Sequence, residues 1–211
     1  MASTKDDSFL SQVFAAKSPE ESRALYDQWA ASYDSDMAAH DFTGPRLVAE
    51  TVSKHLPNIP PSEAKILDAG CGSGAVGIAL NKLFSYQKID GLDISQGMLD
   101  VARKAGVYDK LEIADLTKRL DSEDGSYDAV VCCGMFTHGH LGPGPLDELV
   151  RVVKQGGVIS ATVLDSFWDE GGFEDVVEKM GREGKVEVLG KDSVAYRKDA
   201  GGGRVLILRK K

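Results

Sequence analysis

Four glycines and one aspartate lie close together where an apolar run ends, at Asp68, Gly70, Gly72, Gly74 and Gly77. Glycines allow positive φ and close backbone approach, and the first turn of a helix offers unpaired N–H groups. A strand that leads into such a loop and helix is typical of a site for anionic or nucleotide-like ligands. The spacing Gly72-x-Gly74-x-x-Gly77 also satisfies the dinucleotide fingerprint, so the loop by itself leaves two ligand classes open.

The carboxylate of Asp68 helps to separate these ligand classes. A dinucleotide would bring its pyrophosphate to the end of this strand, where a carboxylate would repel it. The same carboxylate suits a ligand that carries a cation there, such as S-adenosylmethionine, which has an α-ammonium group, a sulfonium and no phosphate. In the structural alternative, Asp68 only braces the backbone of the loop.

Two further carboxylates follow the next two predicted strands. Asp93 closes the second strand, where it can accept hydrogen bonds from ribose hydroxyls of either ligand or cap the following helix. Asp115 closes the third strand and can accept from an adenine amine, although an aspartate at a strand end is commonly part of a turn. Because ligands of open α/β sheets bind at the carboxyl ends of strands, we expect three carboxylates at one edge.

The elements that position these residues alternate between short apolar strands and amphipathic helices. This alternation predicts right-handed βαβ crossovers, and therefore an α/β fold with a doubly wound, mostly parallel sheet. From residue 185 onward this alternation ends. The β-like segments there follow one another without a helix between them, which predicts a closing antiparallel pair of strands. Strands are predicted at 65–68, 88–93, 110–114, 127–133, 158–164, 185–189, 194–197 and 204–209, with a turn at 198–203, and helices at 75–83, 95–105, 146–154 and 169–180.

The first sixty residues are predicted to be a helical lid segment (1–60) of the same domain as the core (61–211). Ser18 and Glu21 form a capping box around Pro19, and the helix face that follows carries Leu25, Trp29 and Tyr33. A second helix is predicted at 44–55. Prolines at 57, 60 and 61 mark a linker, and residues 1–8 are expected to fray.

Composition narrows the classes of protein that this chain can be. It has 211 residues, a formal net charge of −8 and 42% hydrophobic residues, so it can bury a full core but lacks the basic character of a general nucleic-acid binder. The N-terminus has no apolar run, which argues against a secretory or membrane segment. The three cysteines show no metal-ligand spacing, and their number favours a reducing, cytoplasmic compartment. The oligomeric state is not indicated.

Taken together, the motifs resemble the class I S-adenosylmethionine-dependent methyltransferases from about residue 26 onward. They are LDAGCGSG (67–74), GLDIS (91–95), ADL (114–116), YDAVVCC (127–133) and LVRVVKQGG (149–157). More narrowly, YDQWAASYD (26–34) and GMFTHGH (134–140) resemble the Williams–Beuren-region methyltransferase-like group. The resemblance implies a seven-stranded, Rossmann-like sheet, S-adenosyl-L-methionine as cofactor and methyl transfer as the activity.

The resemblance also implies roles by position, with the methionine end of the cofactor at the glycine loop, the ribose at Asp93 and the adenine at the end of the third strand. The implied cofactor contacts are Tyr26, Trp29, Tyr33, Asp68, Ala69, Gly70, Cys71, Gly72, Asp93, Ile94, Met98, Ala114, Asp115, Leu116, Cys133 and Gly134. For the lid aromatics, ordinary helix packing is the alternative.

Methyl transfer to a weak nucleophile needs alignment and, for some acceptors, a general base. His138 and His140 are the candidate bases, although either can instead hydrogen-bond the glycine-rich loop at 134–145, which we expect to lack strand or helix character. The candidate substrate walls are His40, Phe42, Phe136 and Trp168. Because the chain has little room for a second domain, we expect a small-molecule substrate, with O- or N-transfer, and neither a nucleic-acid nor a membrane partner.

Two alternative functions remain open at this point. One is an NAD(P)-dependent oxidoreductase, which the glycine spacing permits and Asp68 disfavours. The other is a repurposed methyltransferase-fold protein that catalyses a rearrangement or cyclisation, or only binds a partner, because function belongs to the site and not to the fold.

Overall fold

The computed structural model describes residues 8–56, 59–196 and 202–211. In this part of the chain the strands are β1 (Lys65–Ala69), β2 (Lys88–Asp93), β3 (Lys110–Ile113), β4 (Tyr127–Phe136), β5 (Val153–Leu164), β6 (Val186–Val194) and β7 (Gly203–Lys210). They form one sheet in the order β3-β2-β1-β4-β5-β7-β6. The first five strands pair in parallel, and β7 runs antiparallel to both β5 and β6, which confirms the predicted fold class.

Helices cover both faces of this sheet. Within the described residues, no helix is both long and apolar enough to cross a lipid bilayer. The helices are α1 (Phe9–Phe14), α2 (Pro19–Trp29), α3 (Tyr33–Ala39), α4 (Gly44–His55), α5 (Ala75–Leu83), α6 (Gln96–Lys104), α7 (Leu146–Val152), α8 (Asp165–Trp168) and α9 (Phe173–Arg182), with one 3-10 turn at Pro61–Glu63.

Alternate residues of the central strands face two different hydrophobic layers. Ile66 of β1 and Val131 of β4 join the layer formed with α4 and α5, whereas Leu67 and Val130 join the layer formed with α7 and α9. Because both faces are covered, these strands read as continuous apolar runs. Burial of each such side chain contributes ~1.5–3 kcal/mol, which fixes the strand register and therefore the edge at which the strands end.

The helices α1, α2 and α3 form a separate small cluster above the carboxyl edge of the sheet. Its buried members are Val13, Trp29 and Met37. Polar contacts fasten this cluster to the core: Asp27 Oδ1 accepts hydrogen bonds from Ser95 Oγ at 2.6 Å and from the backbone N–H of Gly97 at 2.9 Å. The lid therefore rests on the N-terminus of α6, next to the ends of β1 and β2.

The predicted lid helix is divided in the structure. Ser18 caps α2 by accepting from Glu21 N at 3.2 Å, as predicted, but α2 ends at Trp29 and α3 begins at Tyr33. The backbone N–H of Ser32 donates to the carbonyl oxygen of Trp29 in the turn between these helices. The apolar face that was expected on one helix is therefore divided between α2 and α3. Helix α1 is too short for a periodic pattern to predict it.

The strand β6 replaces two shorter strands predicted at 185–189 and 194–197. Its pairing with β7 shifts between Val188 and Gly190, and one bulged strand therefore continues to Val194. A bulge inserts a residue and breaks the alternation on which a sequence prediction depends. Some predicted features lie outside the described residues, namely the fraying at 1–7, the linker residue Pro57, residue 197 of the expected strand and most of the turn at 198–203.

Other boundaries move at irregular backbone positions. The strand β4 continues to Phe136, into the loop predicted to lack strand character, because its pairing with β5 shifts after Cys132 and resumes there. The strand β5 already begins at Val153, so its two glycines lie inside it. Gly172, with φ of 72°, precedes α9, which begins at Phe173 and not at residue 169.

Gly139, in the loop after β4, lies close to the backbone of the lid helix α1. An ideal Cβ at this position would lie 2.2 Å from the carbonyl oxygen of Val13, and φ is +74°. Gly139→Ala should therefore displace α1 and lower the free energy of unfolding by ~1–3 kcal/mol, measured by urea denaturation.

Gly142→Ala is the matched control, because the same loop offers open space at that position. We expect its stability to match the wild-type protein. Equal losses in the two variants would contradict the tight contact at Gly139.

Candidate active site

The carboxyl ends of β1, β2 and β3 border a cavity of about 210 Å³, which we call the acidic cavity. The sheet edge forms its floor, and the chain between α1 and α2 and the loop after β4 cover it. Its lining residues are Ala16, Lys17, Ser18, Pro19, Ser22, Gly70, Asp93, Ile94, Ala114, Asp115, Leu116, Thr117, Met135, Gly139, His140 and Leu141.

Asp93 joins the glycine loop to the end of β2. Its Oδ2 accepts from the backbone N–H of Gly72 at 2.8 Å, and its Oδ1 accepts from that of Ser95 at 2.9 Å. Burial raises the pKa of Asp93, an effect that these backbone donors partly offset. The carboxylate therefore fixes the loop while it lines the acidic cavity.

Asp68 is fully buried beneath the glycine loop and does not line the acidic cavity. Its Oδ2 accepts a hydrogen bond from Tyr108 Oη at 2.7 Å, whereas its Oδ1 has no partner among the described residues. Burial raises the pKa of Asp68 to about 7, against the effect of the Tyr108 hydrogen bond, and the nearby Asp93 adds to the rise. The structure thus places Asp68 as a brace of the loop.

The side chain of Tyr108 lies against Gly77 and close to Gly91, where a larger residue would not fit. Its Oη accepts from the backbone N–H of Gly77 at 3.1 Å, and an ideal Cβ at residue 77 would lie 2.4 Å from that oxygen. The ring also comes within 3.1 Å of an ideal Cβ at Gly91. Tyr108 therefore fills the space between the glycine loop and β2. A side chain at Gly77 would displace Tyr108, whereas one at Gly91 would first meet Leu111, 2.7 Å from an ideal Cβ.

Asp115 lines the acidic cavity and also closes a turn. Its Oδ1 accepts from Thr117 N at 2.9 Å and from Thr117 Oγ1 at 2.6 Å, and Lys118 Nζ lies 3.1 Å from Oδ2. Burial opposes ionisation, but these donors bring the pKa of Asp115 below its ordinary value. The side chain therefore presents a carboxylate to the cavity at neutral pH.

A second cavity, of about 340 Å³, lies on the other side of Gly70, and we call it the glycine-loop cavity. Ser73 Oγ donates to Asp34 Oδ1 at 2.5 Å and thereby joins the loop to α3. Met135 packs directly on Gly70, where an ideal Cβ would lie 2.4 Å from Met135 Cγ. The lining residues are Tyr33, Asp34, Met37, Ala38, Phe42, Pro45, Gly70, Cys71, Gly72, Ser73, Ala75, Val76, Ile78, Lys82 and Cys133.

A third and smaller space, of about 30 Å³, is enclosed mainly by rings, and we call it the aromatic chamber. The rings of Trp29 and Tyr33 meet edge to face at 4.8 Å, and those of Tyr26 and Trp29 stack at 5.9 Å. Its lining residues are Leu10, Phe14, Tyr26, Trp29, Tyr33, Met37, Phe42, Gly134, Phe136, Thr137, His140, Leu164 and Tyr196.

His140 borders both the acidic cavity and the aromatic chamber. Its Nδ1 lies 3.1 Å from the carbonyl oxygen of His138, so Nδ1 carries the proton and donates. Its Nε2 lies 2.7 Å from Tyr26 Oη and accepts from that hydroxyl. Burial lowers the pKa of His140, and the imidazole is therefore neutral at pH 7.

His138 lies on the other side of the same loop. Its Nε2 is 3.2 Å from Ser166 Oγ, and its ring contacts Phe167 at 4.9 Å. Trp168 is buried in the core, where it stacks on Phe173 and donates to Glu174. The predicted site residues that line none of the three spaces are Asp68, Ala69, Met98, His40, His138 and Trp168.

Several residues that the sequence analysis did not single out complete the site. The chain at Ala16–Pro19 covers the acidic cavity, Met135 packs on Gly70, and Thr137 lines the aromatic chamber. Only the capping box at Ser18 signals that a helix begins there, and it carries no information about what the helix start covers. Tyr108 carries no local signal of its role at all.

Known proteins resemble this chain in sequence and in fold. Residues 66–157 match a family model described as a methyltransferase domain. Methyltransferase-like protein 27 of Homo sapiens is 36% identical over 139 residues, which cover 65% of this chain and 56% of that protein. The chain spans about half the length of the curated relatives that it matches.

Two solved structures share the fold. A TehB-like SAM-dependent methyltransferase from Corynebacterium glutamicum has a TM-score of 0.64 and 21% identity, with 89% of this chain and 99% of that chain covered. The [4+2]-cyclase SpnF has a TM-score of 0.68 and 18% identity, with 92% and 97% covered. At these identities the likeness concerns the fold alone.

The Tyr108 hydroxyl should stabilise the folded protein more at pH 8 than at pH 5. Because folding raises the pKa of Asp68 from 3.8 to about 7, the folded state binds an extra proton between these values, and this group lowers stability as pH rises. Tyr108→Phe removes a donor that favours the ionised form. We expect a loss of ~1–3 kcal/mol in urea denaturation, larger at pH 8 than at pH 5.

Tyr86→Phe is the control. It removes a tyrosine hydroxyl that lies 2.8 Å from Ser53 Oγ of α4 and does not contact Asp68. Its effect should be the same at both pH values. A penalty for Tyr108→Phe that does not change with pH would rule out the coupling to Asp68.

Proposed function

We propose that this chain, which belongs to the class I S-adenosylmethionine-dependent methyltransferases, transfers a methyl group to an oxygen or nitrogen atom of a small molecule. The observation that carries the proposal is the pair of cavities that meet at Gly70 along the carboxyl edge of the sheet. Ligands of open α/β sheets bind at this edge.

The residues present fit S-adenosylmethionine, the cofactor of this family. We assign Asp93 to accept hydrogen bonds from the ribose hydroxyls, and Asp115 and Leu116 to border the adenine edge, because all three residues line the acidic cavity. Asp34 and Lys82 line the glycine-loop cavity and offer opposite charges to the amino and carboxylate groups of the methionine end. Buried carboxylates at the loop would repel a pyrophosphate, which disfavours a dinucleotide.

Alignment and exclusion of water are the main contributions that we assign to the chain. When bound, S-adenosylmethionine supplies a methyl group on a sulfonium, and transfer leaves a neutral thioether because the S–C electron pair stays on sulfur. The chain between α1 and α2 covers the acidic cavity, and Tyr26, Trp29 and Tyr33 enclose the aromatic chamber. Such enclosure holds an acceptor in line and keeps water away.

We assign the general base to His140 and not to His138. His140 borders both the acidic cavity and the aromatic chamber, and its neutral imidazole can accept a proton at Nε2. Tyr26 already donates to that nitrogen, so proton acceptance requires the Tyr26 hydroxyl to turn away or to pass on its own proton. His138 hydrogen-bonds outside these spaces.

A small acceptor and a reducing, cytoplasmic compartment complete the proposal. The enclosed chamber leaves little room, which supports a small molecule over a folded macromolecule. The net charge of −8 disfavours nucleic acid as substrate. All three cysteines carry free thiols, which supports a reducing environment.

Product analysis separates methyl transfer from the alternatives. A protein named as a [4+2]-cyclase shares the fold, so the fold is compatible with a reaction that adds no methyl group. Mass spectrometry of the product should show one added methyl group. Unmethylated product that still requires the protein would favour the repurposed function, and saturable NAD(P)H binding with no response to S-adenosylmethionine would favour an oxidoreductase.

Asp93→Ala should weaken S-adenosylmethionine binding by ~1–3 kcal/mol, because it leaves buried hydroxyls unpaired. Isothermal titration measures the change, and thermal unfolding of the variant checks the fold. Asp100→Ala removes an equal charge from the exposed face of the next helix and should bind like the wild-type protein. Unchanged affinity in Asp93→Ala would exclude the ribose role.

His140→Gln should lower turnover by ~10²–10⁴-fold and change cofactor affinity little, if His140 removes the acceptor proton. The wild-type rate should fall only at acidic pH, because burial lowers the pKa of His140 and keeps it neutral above that value. His138→Gln should reduce turnover less. A wild-type rate in His140→Gln would leave alignment as the whole mechanism.

A further inference from the structure

One polar atom beside the aromatic chamber has no role within the fold. Thr137 directly follows β4 and is more than nine-tenths buried, and its Oγ1 has no hydrogen-bond partner among the described residues. A buried hydroxyl that loses its water without gaining a partner destabilises the folded protein. Because native proteins rarely retain such a group, an unpaired hydroxyl at the ligand edge points to a group that a ligand brings.

The surroundings of Thr137 restrict the charge of that ligand. The rings of Tyr26, Tyr33 and Phe42 and the side chain of Leu164 line the chamber, and no Lys, Arg, Asp or Glu is found among its described lining residues. The ring nitrogens of His140 and the hydroxyls of the lining tyrosines are polar, but burial lowers the pKa of His140 and keeps its ring neutral. An isolated charge that entered this space would lose its hydration without finding an opposite charge, at a large cost in free energy.

The size of the chamber restricts what enters. A volume of about 30 Å³ accommodates a hydroxyl or methyl-sized group, since one water molecule requires roughly 10–15 Å³ on this measure. Tyr33, Met37 and Phe42 also line the glycine-loop cavity. The rest of a larger acceptor molecule can therefore pack against these side chains, next to the cavity proposed for the methionine end of the cofactor.

We propose, on the basis of the function proposed above, that Thr137 and the aromatic chamber bind the reacting end of the acceptor, and that the acceptor is a small, uncharged molecule with a hydroxyl or neutral amino group on an aromatic or apolar framework. The Thr137 hydroxyl orients that group by a hydrogen bond. The acceptor's lone pair forms the new bond to the methyl carbon, and the S–C pair remains on sulfur. The O–H or N–H proton passes to His140 Nε2, from which the Tyr26 hydroxyl turns away. Thr137 is thus a specificity-determining residue.

Binding of three matched ring compounds to the full chain, saturated with S-adenosylhomocysteine, tests this proposal. The probes are para-cresol, benzoate and benzylammonium, which are similar in size and differ in charge, with toluene as a probe without a hydroxyl. We expect para-cresol to bind at least about tenfold more tightly than either ion by ligand-observed NMR. Tighter binding of benzoate or benzylammonium, or no binding of para-cresol, would overturn the proposal.

Thr137→Val keeps the shape of the side chain and removes its hydroxyl. It should weaken para-cresol binding about fivefold and leave toluene binding unchanged. Ser160→Ala is the matched control, because it removes a hydroxyl that is equally buried and has no described partner, but lies within β5. Equal affinities of Thr137→Val and the wild-type protein for para-cresol would also overturn the proposal.

The titration with S-adenosylhomocysteine distinguishes failure of this inference from failure of the proposed function. Saturable binding of S-adenosylhomocysteine with no preference for the uncharged ring rejects the acceptor class alone. Absence of S-adenosylhomocysteine binding in the folded wild-type protein rejects the methyltransferase proposal and, with it, this inference. Retained S-adenosylhomocysteine binding in Thr137→Val shows that the variant is folded.

Discussion

The carboxylate of Asp93 is the point on which the geometry of the site depends. It accepts hydrogen bonds from the N–H groups of Gly72 and Ser95 and so holds the glycine loop against the start of α6. Ser95 in turn donates to Asp27 of the lid, so the same connection extends to α2. A buried carboxylate is costly without such donors, so the glycine loop and the start of α6 stabilise the charge of Asp93, whereas the nearby Asp27 of the lid opposes its ionisation. The position of the acidic cavity follows from this arrangement.

The glycines of the loop are required by two different neighbours. Gly72 has a φ of 53° and no atom within 4 Å of an ideal Cβ, so its backbone conformation, and not a close contact, requires glycine. Gly77 lies against the Tyr108 hydroxyl, where any side chain would overlap. The dinucleotide-like spacing of this sequence therefore includes a glycine that makes room for a tyrosine. Motif spacing by itself does not separate packing from ligand binding. In this chain the hydrogen bonds of Tyr108 with Gly77 and Asp68 assign these two residues to packing.

Local patterns were sufficient to predict the sheet and the strand ends that carry Asp93 and Asp115, because capped helices and apolar strands depend on neighbouring residues. The residues that cover and enclose the site were not predictable from local patterns. Ala16–Pro19 reaches the acidic cavity only through tertiary packing of α1 and α2, and Thr137 and Met135 are ordinary residues in sequence. Bulges also escaped prediction, since a single inserted residue shifts the alternation of a strand.

The position of β7 between β5 and β6 has a consequence for the order in which the sheet forms. In the sheet, β6 borders β7 alone, although β7 comes later in the chain. β6 therefore joins the sheet only through β7, either together with it as a hairpin or after β7 has paired with β5, and the step that attaches both strands is the pairing of β7 with β5. The long connection from β5 adds little to the entropic cost of that pairing, which grows only logarithmically with loop length. A break in the chain before residue 203 would leave β5 and β6 as open edges, available for pairing with another molecule.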